Sequence, residues 1–414
     1  MRTTVRIRSV LLTAALVLTS ALIASAASAG EAVRYIDSQR EDGSSAAVIV
    51  PDLPLVHTGQ FLALDASGQI EGKDRLEVQL ESALQGLDQA LRATGTDFAR
   101  VVKINVVAAG AEVARKVREA LERRFSQSRE GGPAVSYVTG KLRHPDALLA
   151  IDAVVTASAA GRNTVSRTRI AGYDAKRPRL AHAATLPAGP KVYVSGQAEK
   201  GKDIPEMTRK TMESLGATLK HLGLGLGDVV QVKSFLGPIA DAEDAEREIV
   251  DFFRDEPLVP PLAVVEWTTA PSIEIELIAS AARAPVEQLD SVDFITPPGM
   301  TASPVYSRVA RMWAGPTIYL SGLYGDSQQD SDAEILQIFE KLGALLDKTG
   351  SDIQHLVKAT YYVSTDEASR KLNERRLTIY DPRRPPAASK APVAGTGREG
   401  KTITIDMIAA PIRK

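Results

Sequence analysis

Glu274 is the residue of this chain best placed by type to do chemistry. It lies on the alternating run Ile273-Glu274-Ile275-Glu276-Leu277-Ile278-Ala279. Period-two patterning puts the aliphatic side chains on one sheet face and both glutamates on the other. A carboxyl held in a cleft with a raised pKa serves as general acid or base; on an open face it is only solvated. Two hydroxyls follow, Ser195 in Val192-Tyr193-Val194-Ser195-Gly196-Gln197 and Ser321 in Ile318-Tyr319-Leu320-Ser321-Gly322-Leu323. No general base neighbours either in sequence, so they read as pocket hydrogen-bonding groups or strand ends rather than nucleophiles. The 414 residues contain no cysteine, which removes disulfides, thiolate nucleophiles and cysteine metal ligands. The five histidines, His57, His144, His182, His221 and His355, form no His-x-x-x-His pair. No metal or cofactor is therefore implied. Lys and Arg number 50 against 51 Asp and Glu, so no field for nucleic acid or a membrane surface is expected.

The Ser-Gly phrase has a third, weaker copy in Leu55-Val56-His57-Thr58-Gly59-Gln60. A recurrence over most of a chain means one supersecondary unit used repeatedly. Each copy continues with an amphipathic helix; in the third, Ile335, Ile338, Phe339, Leu342, Leu345 and Leu346 share a face, and Ser331-Asp332-Ala333-Glu334 reads as a capping box. Thr94-Gly95-Thr96, Leu222-Gly223-Leu224 and Thr349-Gly350-Ser351 supply glycine stops. Strands then start at Val101, Val229 and Leu356, a second helix follows, and an alternating strand ends the unit. That second helix is clear around Val113, Val117 and Leu121, and poorly defined in the third copy, where only Leu372 and Ile379 suggest it. The order ββαβαββ describes an α+β sandwich with helices on one sheet face. Arg2, Arg6 and Arg8 precede an apolar run from Val10 to Ile23 and a small-residue site at Ala27-Ser28-Ala29. This pattern reads as a cleaved signal peptide over residues 1–29, giving a periplasmic or secreted protein; an uncleaved anchor is the rival, with a run short for a membrane span. The repeats occupy 30–160, 161–290 and 291–414, with linkers at 157–169 and 284–304.

The repeat resembles the RidA family, also called YjgF/YER057c/UK114 or endoribonuclease L-PSP. The resemblance rests on residues 192–197, Gly227-Asp228-Val229-Val230, Phe252-Phe253, Ile273-Glu274-Ile275-Glu276 and Pro304-Val305-Tyr306-Ser307. It implies a chorismate-mutase-like fold that usually forms homotrimers around a central barrel, with ligand clefts between subunits. Three copies on one chain then imply an intramolecular pseudo-trimer with inter-repeat clefts. The implied activity is hydrolysis of imines and enamines to 2-keto acids with release of ammonia, without a cofactor. The implied ligand is a small imino or keto acid. Ser195, Gly196, Ser321, Gly322, Tyr306 and Arg308 are the implied substrate-binding residues, and Glu274 the catalytic one. The family pattern also has an arginine two residues after a proline, to grip the substrate carboxylate. Here that position reads Val135, Leu262 and Ala387, and the glutamate position reads Ala150, Glu274 and Thr404. Three explanations stand: a non-enzymatic relative that binds a different, less anionic ligand; another cation entering a cleft, with Arg308, Arg311, Arg384 and Lys358 as candidates; or an envelope scaffold. Ribonuclease chemistry finds no basic excess and no His-His or His-Lys constellation.

Overall fold

The structure is a computed structural model. It describes residues 32–414 apart from 39, 127–130, 159–162, 270–271, 282–289, 328–329 and 414. The signal-peptide segment lies outside the described residues.

Each repeat begins with three strands, one more than the sequence suggested. The first runs β1 (Arg34–Ile36), β2 (Ala47–Val50), β3 (Leu55–Thr58), α1 (Leu76–Ala93), β4 (Val101–Ala108), α2 (Ala111–Phe125), β5 (Ala134–Thr139) and β6 (Leu149–Thr156). The second runs β7 (Ser166–Thr168), β8 (Ala183–Leu186), β9 (Lys191–Gln197), α3 (Ile204–His221), β10 (Val229–Gly237), α4 (Ala242–Phe252), β11 (Leu262–Glu266) and β12 (Ser272–Ser280). The third runs β13 (Val292–Ile295), β14 (Val309–Met312), β15 (Thr317–Leu320), α5 (Ser331–Thr349), β16 (Leu356–Val363), α6 (Asp366–Ile379), β17 (Ala387–Pro392) and β18 (Ile403–Ala409). The short strands β7 and β13 fall inside the segments read as linkers, too brief to show an alternating pattern.

The strands form three six-stranded sheets, ordered β5-β4-β6-β3-β8-β7, β11-β10-β12-β9-β14-β13 and β1-β2-β15-β18-β16-β17. The first hairpin of every repeat therefore leaves its own repeat. β7–β8 completes the first sheet, β13–β14 the second, and β1–β2, from the start of the chain, the third. Within each sheet the parallel pair, such as β4 with β5, is joined through a helix, as a parallel connection requires.

The three sheets fit a pseudo-trimer, but the expected central barrel is not closed. Neighbouring sheets meet through isolated bridges, Thr139 with Gly395, Leu180 with Val259 and Ser307 with Ala387. Pro133, Pro260-Pro261 and Pro385-Pro386 stand just before the edge strands β5, β11 and β17. A proline offers no N–H, so the ladder is interrupted at these points and contact beyond them is limited to isolated bridges such as Val259 with Leu180.

Each sheet packs its helices over an outer core, and a fourth core joins all three sheets. In α5, Ile335, Ile338, Phe339, Leu342, Leu345 and Leu346 are all buried, as their spacing predicts. Gly350 takes the left-handed cap at φ 74°, but the helix start is capped one residue earlier than expected. Asp330 accepts the amides of Asp332 and Ala333, while Glu334 reaches Thr402 instead. The shared core is lined by residues such as Val102, Tyr193, Val230, Tyr319 and Val357. Beside it a polar chamber of about 40 Å³ holds buried ion pairs between repeats, Lys103 with Asp406 at 2.9 Å and Lys358 with Glu276 at 2.7 Å. The third pair is absent by sequence. Gln231 stands at the lysine station and donates to the Thr58 carbonyl, while Asp152 accepts from Asn105.

Removing residues 33–50 deletes β1 and β2 and bares the edge of β15. The expected outcome is self-association by size-exclusion chromatography with light scattering and a lowered Tm. A shortened chain with the parent's mass and Tm would show that the exchanged hairpin does not hold the third sheet.

Candidate functional site

Backbone bonds fix which positions of the three repeats are equivalent. The amides of Gly59, Ser195 and Ser321 donate to His182, Arg308 and Ala46, each at 2.9 Å. The next amides, Gln60 and Gly322, donate to Leu262 (3.1 Å) and Val135 (3.0 Å). Gly59, not Thr58, is thus the counterpart of Ser195, and Gln60 the counterpart of Gly196. Thr58 turns inward and accepts the Ala153 amide. The register of the edge strands corrects a second alignment. Ile104 pairs with Val135, Val232 with Leu262 and Ala359 with Ala388. Ala388, not Ala387, is level with Val135 and Leu262, and an arginine is absent at either position.

Each Ser-Gly phrase therefore meets the edge strand of the following repeat, the third meeting the first. At the first junction Gln60 fills the place of the glycine and ties its Oε1 to the Val264 amide. Ala150 supplies no carboxyl there. At the third, Ser321 is fully buried. Its hydroxyl donates to Ser45 and accepts from Val135, joining repeats rather than facing solvent. Gly322 lies beside Thr404 and Ser136.

The second junction is different. Ser195 gives both its amide and its hydroxyl to the Arg308 carbonyl. Gly196 donates to Ser389 Oγ of β17, and Ser389 donates to Glu276 at 2.7 Å. The Glu274 carboxyl leans over Gly196 so closely that a Cβ there would lie 2.0 Å from Oε1. This is why that position is glycine. Glu274 Oε1 is buried and has no hydrogen-bond partner. Burial pushes the Glu274 carboxyl up to about 7; the nearby Ser389 hydroxyl opposes the shift, Glu276 adds to it, and Lys390 and Lys358 oppose it.

A cation the sequence did not single out, Lys390, acts on Glu274; of the four singled out by sequence proximity, only Lys358 does so as well. Arg308 lies over the Tyr306 ring and donates to Thr301, Arg311 stacks on Trp313, Arg384 pairs with Asp290, and Lys358 is held by Glu276. Tyr306 is half-buried and packs against the third repeat's core. Lys390, half-buried on β17, is held by two neutral groups of α6, Ser369 Oγ at 2.9 Å and Asn373 Oδ1 at 3.1 Å. Arg376 donates to the same Asn373 Oδ1 at 2.7 Å and lies over the Tyr361 ring. It is only 6% exposed, and its Nε has no partner. Arg376 stands where Leu121 and Ile249 fill the other two repeats, which explains why the third repeat's second helix reads so poorly. Neither cation has a carboxylate within ion-pair distance among the described residues. Burial lowers the Lys390 pKa, the Arg376 charge lowers it further, and Glu274 raises it. The arrangement sets two cations without an ion-pair carboxylate among the described residues close to a carboxyl whose pKa burial raises to about 7.

A family model described as Endoribonuclease L-PSP matches residues 43–157, 175–281 and 299–411. The chain belongs to this family, the RidA/YjgF family. Solved structures similar to it include the Rid-family protein YyfB from Yersinia pestis, 20% identical, covering 29% of this chain and 98% of that one, with a TM-score of 0.28. A YjgF/YER057c/UK114-family protein from Mycobacterium tuberculosis is 22% identical, covering 29% and 99%, with a TM-score of 0.22. TdcF from E. coli, with bound serine, is 24% identical, covering 22% and 81%, with a TM-score of 0.21. No curated protein matches the chain. Among the described residues no group of His, Cys, Asp and Glu is arranged to hold a metal, and no helix is long and apolar enough to cross a membrane.

Two measurements follow from Glu274. The folded protein holds its proton up to about pH 7, the unfolded chain only to its ordinary value of 4.5. The native state therefore binds more protons in that window, and stability falls as pH rises through it. Glu274→Gln should be more stable than the parent at pH 8, by on the order of 2 kcal/mol, and similar to it at pH 4. Equal denaturation midpoints at both pH values would contradict the raised pKa. Gly196→Ala should push the carboxyl aside and bring the apparent pKa, followed by NMR of the labelled glutamate, down toward 4.5; an unmoved value would show that the glycine does not position it.

Proposed function

We propose that this RidA-family protein binds a small imino or keto acid between its second and third repeats and hydrolyses the imine to a 2-keto acid and ammonia. The observation that carries this reading is Lys390 acting on Glu274 while sharing Asn373 Oδ1 with Arg376, neither cation having an ion-pair carboxylate among the described residues. Burying like charges without a counter-ion is costly, and a ligand carboxylate relieves that cost. In the reaction, the substrate carboxylate sits against the Lys390–Arg376 pair. Glu274 in its ionised form takes a proton from water as the water oxygen bonds to the imine carbon. With the imine nitrogen protonated at the start, the protonated carboxyl returns that proton to the amino group of the carbinolamine; the carboxylate then takes the hydroxyl proton as the C–N bond breaks, ammonia leaves and the keto group forms, and Glu274 passes that proton to the departing ammonia or to solvent. A carboxyl with a pKa near 7 is suited to both halves of this exchange. Ser195 and Gly196 shape the cleft wall, and Ser389 links it to Glu276. The leader-like pattern of residues 1–29 supports placing this chemistry in the periplasm or outside the cell.

The second reading is ligand binding without turnover. It is favoured by the apolar Val135, Leu262 and Ala388 at the arginine station and by the loss of the carboxyl in two of three repeats, at Ala150 and Thr404. Keto-acid release from freshly generated 2-iminopropanoate and 2-iminobutanoate separates the two. Hydrolysis predicts turnover above the uncatalysed rate that Glu274→Gln removes. Lys390→Met should raise KM by roughly tenfold or more, with Lys390→Arg recovering part of the loss. Binding of a keto acid with no turnover would leave only the second reading, and Lys390→Met with unchanged KM would remove Lys390 as the anchor.

A further inference from the structure

The junction between the third and first repeats is built differently from the one just described. The stations of Glu274, Lys390 and Asn373 are taken there by Thr404, Tyr137 and Arg118. No carboxyl is available for proton transfer. Instead two guanidinium groups lie over two tyrosine rings. Arg118 of α2 sits 4.7 Å from the Tyr137 centroid, and Arg398 of the third repeat sits 4.9 Å from that of Tyr324.

The backbone around them is tightly set. Thr139 and Gly395 exchange amide bonds of 2.8 and 3.2 Å across the junction. Gly397, at φ 80°, comes so near Tyr137 that a Cβ would lie 2.5 Å from the ring-bearing carbon. Arg118 donates to the Gly397 carbonyl at 2.7 Å, and Tyr324 donates to the Thr396 carbonyl at 2.7 Å. The remaining polar atoms are left over. Arg118 Nε, Arg398 Nε and the Tyr137 hydroxyl are buried with no hydrogen-bond partner. Tyr137 as a whole is 2% exposed. Arg40 joins Arg118 and Arg398 in acting electrostatically on Tyr324. None of the three arginines has a carboxylate within ion-pair distance among the described residues. Asp42 acts on Tyr137, but its Oδ1 accepts the Ser44 amide and hydroxyl.

Arg118 and Arg398 therefore stand at the junction with no carboxylate within ion-pair distance among the described residues. Planar guanidinium forks with free donors match the oxygens of phosphate and carboxylate groups, and stacking on rings fixes their orientation. We propose that this junction is a second, non-catalytic site for a small polyvalent anion bearing phosphate or several carboxylates, held by Arg118 and Arg398. The site does not depend on hydrolysis at Glu274.

The test is calorimetric titration of the full chain with inorganic phosphate, pyrophosphate and citrate against chloride at matched ionic strength. Saturable binding that persists in a Lys390→Met background, where the first site is removed, is expected, with Arg118→Gln/Arg398→Gln weakening it by roughly tenfold or more. Arg118→Lys, which keeps the charge and loses the fork, covers the case in which the double variant fails to fold and should bind several-fold more weakly. Glu274→Gln should bind as the parent does. Tighter phosphate or pyrophosphate binding assigns a phosphorylated ligand, and tighter citrate binding a polycarboxylate. No saturable binding of any probe, or binding unchanged in both arginine variants, would overturn the proposal.

Discussion

Every sheet of this protein is finished by a hairpin from the next repeat, and the first hairpin finishes the last sheet. This exchange is the constraint from which the rest follows. It turns three tandem units into a ring closed on itself, so that no unit has a complete sheet of its own. It also places backbone where the junctions need it. The Arg308 carbonyl that anchors Ser195 arrives on the segment leading into β14, and the Ala46 carbonyl that anchors Ser321 precedes β2. The ion pairs Lys103–Asp406 and Lys358–Glu276 then lock the sheets together from inside. Buried pairs of this kind add little net stability but penalise misplacement, because stranding either charge is costly.

A symmetric trimer must build its clefts alike. A single chain is free of that rule, and here each junction has a different character. The first is plugged by Gln60 and lacks a carboxyl. The second brings a glutamate toward an ammonium that itself neighbours a buried guanidinium. The third sets arginines on tyrosines. The shared geometry is maintained by backbone bonds that tolerate any side chain, which lets the contents of each cleft vary while the frame stays constant.

Much of this was legible in the residues. The repeat, the α+β layering and the aliphatic faces such as Ile335 to Leu346 follow from periodicity, which depends on burial alone. Glu274 was visible because its strand alternates cleanly. What escaped depends on long-range register. Thr58-Gly59 resembles Ser195-Gly196 in letters, yet backbone bonds make Gly59-Gln60 the true counterpart. The exchanged hairpins are invisible to local pattern, since β2 and β3 are separated by four residues and still join different sheets. Lys390 was missed because it sits in an element of the third repeat but acts on a glutamate of the second, and Arg376 because it reaches that site only through Lys390 and Asn373. One signal was available: a helix whose apolar face is interrupted by arginine at the station of Leu121 and Ile249.

The ring closure also imposes an order of events. The strands made first on the ribosome, β1 and β2, have their partner in β15, which emerges more than 260 residues later. Until then they have no sheet to join, and β15 has no neighbour on that side. Contacts so distant in sequence form slowly. The third sheet is therefore the last to be completed, and its final step draws the two ends of the chain together. The last repeat, which carries Lys390 and Arg376, cannot settle until the beginning of the chain has come back to meet it.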